Sequence, residues 1–154
     1  MTDVIEVGSE APDFELRDQR AQTHRLSSYR GEKNVVLVFY PFAFTGVCTG
    51  EMGAIRDDMA SLQSEETQVL AISCDTVASL RVFAEREGLD YPLLSDFWPH
   101  GEVARAYGVF NEGLGAADRG TFVIDKQGVV RWTVRTEISE ARTIEDYQKA
   151  LAEL

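Results

Sequence analysis

The residue best suited to do chemistry in this chain is Cys48, since a thiolate is a strong nucleophile wherever its surroundings favour the charged form. It closes the segment PFAFTGVC, Pro41 to Cys48, directly after the apolar run Val35–Tyr40. Behind it Met52, Ile55, Met59 and Leu62 recur at spacings of three and four residues, which predicts a helix with one buried face. Cys48 therefore falls at a helix N-terminus, where unpaired backbone N–H groups and the positive end of the helix dipole stabilise an anion. A second cysteine, Cys74, ends the apolar run that starts at Val69 and reads as a core residue at a strand end. No C-x-x-C pair exists: Thr45 stands three before Cys48 and Glu51 three after it. Taken alone, Thr45 reads as a helix cap and Glu51 as a first-turn acid favoured by the dipole. His24 and His100 show no ligand spacing with either cysteine, so neither a metal nor another cofactor is expected, and a cysteine hydrolase lacks a persuasive histidine base.

These residues need elements to hold them. A polar middle, DQRAQ, within Phe14–Leu26 predicts a hairpin. VVLVFY, polar on neither face, suits a strand buried on both sides. Val69–Cys74 and Tyr91–Leu94 read as further strands. Between them, Asp75 or Thr76 caps a helix with Val77, Leu80, Phe83 and Ala84 on its apolar face, ended by Gly88. Val103, Ala106 and Tyr107 mark a short helix. Thr121–Ile124 and Val129–Val134 form a hairpin around Asp125–Gly128, and Thr143 caps a last helix burying Ile144, Tyr147, Leu151 and Leu154. Strands alternating with helices imply a parallel centre in a mixed sheet with helices on both faces. Ligands gather beyond the carboxyl ends of such strands, which is where PFAFTGVC lies.

The 154 residues fit one domain, 1–154, without internal repeat or linker. With 15 Lys+Arg against 26 Asp+Glu, the net charge of −11 repels phosphate backbones and anionic lipid, so neither nucleic acid nor a membrane surface is an expected partner. The apolar run Val35–Phe44 is broken by Pro41 and falls short of the about 20 residues a membrane-spanning helix needs. MTDVIEVGSEAPDF shows no basic patch before an apolar stretch, so the expected location is a reducing cytoplasm with free thiols.

PFAFTGVC, with Pro41, Thr45 and Cys48 as P-x-x-x-T-x-x-C, resembles the active-site motif of the peroxiredoxins, thiol peroxidases on a thioredoxin-like α/β fold. GSEAPDFELRD, YPLLSDFWPHGEVARAYGV and RGTFVIDKQGVVRW resemble further segments of that family in the same order. PFAFTGVC, SDFWPHG and AYGVFNE look closest to the actinobacterial alkyl hydroperoxide reductase E group, usually one-cysteine enzymes. The resemblance implies that Cys48 is the peroxidatic nucleophile, that Thr45 holds the peroxide, that Arg119 sits against thiolate and peroxide, and that Pro41 shields the sulfur. It further implies that backbone N–H groups around Val47 and Cys48 complete an oxygen pocket and that Glu51 helps anchor the network. Implied partners are a hydroperoxide (hydrogen peroxide, alkyl hydroperoxide or peroxynitrite) and a low-molecular-weight thiol, mycothiol included, or a redoxin as reductant. A homodimer or higher oligomer is also implied, with Phe42, Phe44, Phe97 and Trp98 as candidate apolar contacts; Phe97 and Trp98 read as core or dimer contact. Two alternatives stand beside a one-cysteine cycle: Cys74 as a resolving cysteine, or a non-catalytic binding or holdase module on the same scaffold.

Thiolate formation alone does not account for a fast peroxidase. An ordinary thiol of pKa about 8.5 is roughly 3% ionised at pH 7. Lowering that to about 6 raises the ionised fraction about thirtyfold, but nucleophilicity falls with a Brønsted slope of about 0.4–0.5 and returns about a factor of ten. Most of the rate must come from alignment and from stabilising the departing oxygen.

Overall fold

A computed structural model describes residues 4–154. The strands are β1 (Glu15–Arg17), β2 (Thr23–Arg25), β3 (Asn34–Phe39), β4 (Thr67–Ser73), β5 (Leu93–Ser95), β6 (Phe110–Asn111), β7 (Ala116–Ala117), β8 (Arg119–Ile124) and β9 (Val130–Thr136). The helices are α1 (Gly46–Asp57), α2 (Met59–Leu62), α3 (Val77–Glu87), α4 (Glu102–Ala106) and α5 (Ile144–Ala152). A seven-stranded sheet runs β2-β1-β5-β4-β3-β8-β9, and β6 pairs with β7 apart from it. The pairs β3–β4 and β4–β5 are parallel, and the outer pairs are antiparallel. This is the mixed sheet with a parallel centre that the sequence predicts, and β1–β2 is the N-terminal hairpin.

Period-two alternation divides the core. Val36, Val38 and Tyr40 of the β3 region, Val69 and Ala71 of β4, and Val123 of β8 point to one face, against Cys48, Met52, Ile55, Leu80, Phe83 and Tyr147. Val35, Leu37, Phe39, Leu70, Ile72, Phe122 and Ile124 point to the other, against Tyr107, Val103 and the N-terminal segment at Ala11 and Phe14. Helices lie on both faces but unevenly: α1, α2, α3 and α5 cover the first and the short α4 covers the second.

Four expectations need correction. The helix carrying Met52 to Leu62 is two helices, because Asp58 leaves helical geometry at ψ 18° and ends α1. The third strand lies at 93–95 rather than 91–94, since Tyr91 spends its carbonyl on Gln19 and its hydroxyl on the Met52 carbonyl. Leu154 falls beyond α5 and is exposed. Phe97 and Trp98 are 45% and 80% exposed, because they follow β5 in a surface turn, so they are not core. Of the two candidate caps of α3, Thr76 does the capping: its side chain accepts from Ser79 N at 3.1 Å. At the other end Gly88 supplies the left-handed turn at φ 65°.

Candidate active site

The buried strand β3 delivers the chain to Pro41, a loop follows, and α1 starts at Gly46. Pro41 is buried, Thr45 exposed and Val47 half-buried. Thr45 occupies the cap position of α1 but does not cap it. Its hydroxyl donates instead to the Phe42 carbonyl at 2.8 Å. The backbone N–H groups of Gly46, Val47 and Cys48 have no hydrogen-bond partner among the described residues. They form an unspent cluster of donors beside the cysteine. Phe44, in the middle of the loop, sits at φ 71°, a left-handed conformation that bulky residues rarely adopt.

Cys48 lies in the first turn of α1 and is 0% exposed, surrounded by the cluster of Val36, Tyr40, Met52 and Phe83. Phe44, Thr45 and Gly46 just before it are all exposed. Among the described residues one buried side-chain polar atom lacks a partner, the hydroxyl of Tyr40 in this same cluster.

Glu51, one turn on from Cys48, is buried and organises the polar side of the site. Arg119 Nη1 donates to Glu51 Oε1 at 2.5 Å and Arg119 Nε to the Ile138 carbonyl at 2.6 Å. Arg142 donates from Nη2 to Oε1 at 2.9 Å, from Nε to Oε2 at 2.8 Å, and from its own backbone N–H to Oε2 at 2.7 Å. Its Nη1 donates to the carbonyls of Phe39 and Gly120 and to Thr121 Oγ1. Burial of Glu51 opposes ionisation, but the hydrogen bonds and charge of Arg142, with the charge of Arg119, overcome it and hold its carboxyl below the usual range. Burial likewise disfavours the Arg142 cation, and its bonds to Glu51 overcome that too, with the charge of Glu51 adding to them. Two buried guanidinium groups face one carboxylate, which leaves one positive charge in excess next to the cysteine's turn.

Arg119 is thus in the predicted neighbourhood, but its hydrogen bonds go to Glu51 and Ile138, not to Cys48. Glu51 is central rather than incidental. Arg142 was not legible as a site residue, because a lone arginine before a capping threonine carries no motif. In the sequence Asp75 stands only as a possible cap of α3. The pattern Ser73-x-Asp75 at a strand end was its one available signal.

Cys74 is buried elsewhere. Burial raises its thiol to about 12, with the Asp96 and Asp75 carboxylates adding to the effect, and the Ala117 backbone hydrogen bond opposes it. Ala117 belongs to the core cluster on the face of the sheet opposite Cys48. Both cysteines are free thiols. His24 is engaged by Asp18 at 2.8 Å and Tyr29 at 3.1 Å, and His100 bonds the carbonyls of Phe97 and Gly115.

A buried thiol at a helix start, after the central strand of a mixed sheet and above a Glu–Arg pair, defines a thiol-chemistry protein on a thioredoxin-like fold. The family model of the AhpC/TSA family matches residues 7–133. The chain is 47% identical over 151 residues to alkyl hydroperoxide reductase E of Mycobacterium tuberculosis, covering 98% of this chain and 99% of that protein. It is 36% identical over 161 residues to a putative peroxiredoxin of Synechocystis, covering 98% and 79%. Among solved structures, peroxidoxin BcpB of M. tuberculosis superposes with a TM-score of 0.85 at 34% identity, covering 97% of this chain and 98% of that one. The reduced 2-Cys peroxiredoxin of Plasmodium vivax shares the fold, with a TM-score of 0.85 at 23% identity over 95% of this chain and 80% of that one. The chain belongs to the AhpC/TSA family and is a peroxiredoxin, a thiol-dependent peroxidase. No helix among the described residues is long and apolar enough to cross a membrane.

Proposed function

We propose that Cys48 is the peroxidatic residue of a one-cysteine cycle acting on hydrogen peroxide, alkyl hydroperoxides or peroxynitrite. The thiolate attacks the nearer peroxide oxygen in line with the O–O bond. That bond breaks, an S–O bond forms, and the leaving oxygen departs with a proton as water or an alcohol (as nitrite from peroxynitrite). Cys48 is left as a sulfenic acid. A low-molecular-weight thiol, mycothiol included, or a redoxin then attacks the sulfur, releases water and forms a mixed disulfide, which a second thiol reduces. The observation that carries this reading is the pairing of Cys48 with uncapped N–H groups of the α1 first turn, above a buried cluster with one positive charge in excess.

In this cycle the N–H groups of Val47 and Cys48 hold the peroxide oxygen. The Thr45 hydroxyl, whose proton lies on Phe42 O, accepts the peroxide O–H. Pro41 covers the sulfur. Glu51, Arg119 and Arg142 supply the positive field that favours negative charge developing on the departing oxygen. Alkyl hydroperoxides are favoured as substrates by the name of the mycobacterial relative. The burial of Cys74, its raised pKa and its place beyond the sheet favour an external reductant over a resolving role. The enzyme is a single-domain cytoplasmic homodimer in this reading, with exposed Phe42, Phe44, Phe97 and Trp98 as its contact. Stopped-flow mixing with hydrogen peroxide tests the assignment. Rapid loss of one thiol that vanishes in Cys48→Ser is expected, and an unchanged rate in that variant rejects it.

A further inference from the structure

We propose that Asp75 is a positioning residue for the Cys48 loop, a reading that rests on Cys48 as the peroxidatic residue. Its Oδ2 accepts the backbone N–H of Ala43 at 2.9 Å and the Ser73 hydroxyl at 2.7 Å. The Asp75 carbonyl accepts the Ser95 hydroxyl at 2.6 Å, so the residue is itself tied to β5. Among the described residues, the bond to Ala43 is the one hydrogen bond that joins residues 42–45 to a distant part of the chain. That loop needs a tether. Phe44 holds a left-handed φ of 71°, and conformations of this kind persist only when the surroundings over-determine them. Edge-on packing of Phe44 on Phe83 at 5.2 Å and the Arg86 guanidinium 5.7 Å from its ring fix its side chain, but neither fixes the backbone before it. A carboxylate accepting a backbone N–H is a charge-assisted bond, stronger than a neutral one. Through Ala43, Asp75 therefore sets where Thr45 and the uncapped first turn of α1 stand relative to the sulfur. It touches neither the sulfur nor, in this reading, the peroxide.

Positioning of this kind predicts a selective loss. In-line attack on an O–O bond depends on sub-ångström alignment, and a displacement of about 1 Å costs about 100-fold in rate. Alkylation of the same sulfur by iodoacetamide has no such demand. The test compares, in stopped flow, the rates of Cys48 oxidation by hydrogen peroxide and of Cys48 alkylation in wild type, Asp75→Ala and Asp75→Asn. Asp75→Ala is expected to lose roughly 10- to 100-fold in the peroxide rate while alkylation changes less than about threefold. Asp75→Asn keeps an oxygen for Ala43 N–H and is expected to recover most of the rate. Should Asp75→Ala not fold, Asp75→Ser, whose hydroxyl stops one bond short, takes its place. An unchanged peroxide rate, an equal fall in both reactions, or no rescue by Asn overturns the proposal. Failure of the Cys48 assignment is separately visible, because wild type itself would then show no Cys48-dependent peroxide reaction.

Discussion

Glu51 accepts four hydrogen bonds on two oxygens, three from Arg142 and one from Arg119. The side chains of all three residues are less than 5% exposed, so no water replaces a lost partner. Removing one member of a buried ionic cluster leaves uncompensated charge and costs about 3–5 kcal/mol. Glu51→Gln is expected to lower stability by about that amount in chemical denaturation. Because the folded-state pKa of Glu51 lies below its ordinary value of 4.5, its stabilising contribution is complete above pH 4.5 and is lost as pH falls below it, through the folded pKa. Denaturation midpoints measured from pH 7 down to pH 3 should therefore fall less steeply in Glu51→Gln than in wild type. Equal slopes would mean that other carboxylates govern the acid limb.

At the scale of elements, α1 carries the sulfur in its first turn and is rich in glycine. Twelve residues include Gly46, Gly50 and Gly53, each worth about 1 kcal/mol less helix stability than alanine. Gly50 is exposed, and a Cβ built there meets nothing within 4 Å, so the space is free for a methyl group. Gly50→Ala is expected to stabilise the helix by about 1 kcal/mol in thermal unfolding. Cys48 is fully buried, so a bulky reductant needs the first turns of α1 to loosen before it reaches the sulfur. The same variant should then slow reduction of the sulfenic acid by an external thiol about fivefold, which is that stabilisation read as a rate. Faster or unchanged reduction would show that the helix opens elsewhere or not at all. Most of the elements were legible from local pattern. Val35–Tyr40, polar on neither face, is the doubly buried β3, and Thr76 and Gly88 bound α3 as capping residues do. The break at Asp58 and the small β6–β7 pair were not legible, because neither interrupts or starts a hydrophobic period.

For the whole molecule, the sheet divides the core into two clusters, one on each face. Cys48 lies in the core cluster with Val36 and Val38, while Cys74 contacts Ala117 of the cluster with Leu37 and Phe39. A disulfide needs Cα atoms within about 7 Å and side chains directed at each other. The contact of Cys74 with Ala117, on the face opposite Cys48, favours the proposed one-cysteine cycle, which makes two predictions. After one equivalent of peroxide, intact mass is expected to rise by one oxygen instead of falling by two hydrogens. Turnover of Cys74→Ala with an external thiol should match wild type. A loss of two hydrogens within the monomer would restore Cys74 as a resolving residue.

What could be read from the chain alone was local: the thiol after a buried strand, its place in a helix first turn, the caps, and the alternation that orders the strands. Each follows from residues within a few positions of one another. Contacts between distant residues were settled only by folding. Arg142 meets Glu51 across 91 residues, and Asp75 meets Ala43 across 32. That Cys74 meets Ala117 likewise follows from the packed fold rather than from its sequence neighbours. A single side chain bearing charge looks the same in sequence whether solvent or a buried partner awaits it, and only the packed sheet decides which.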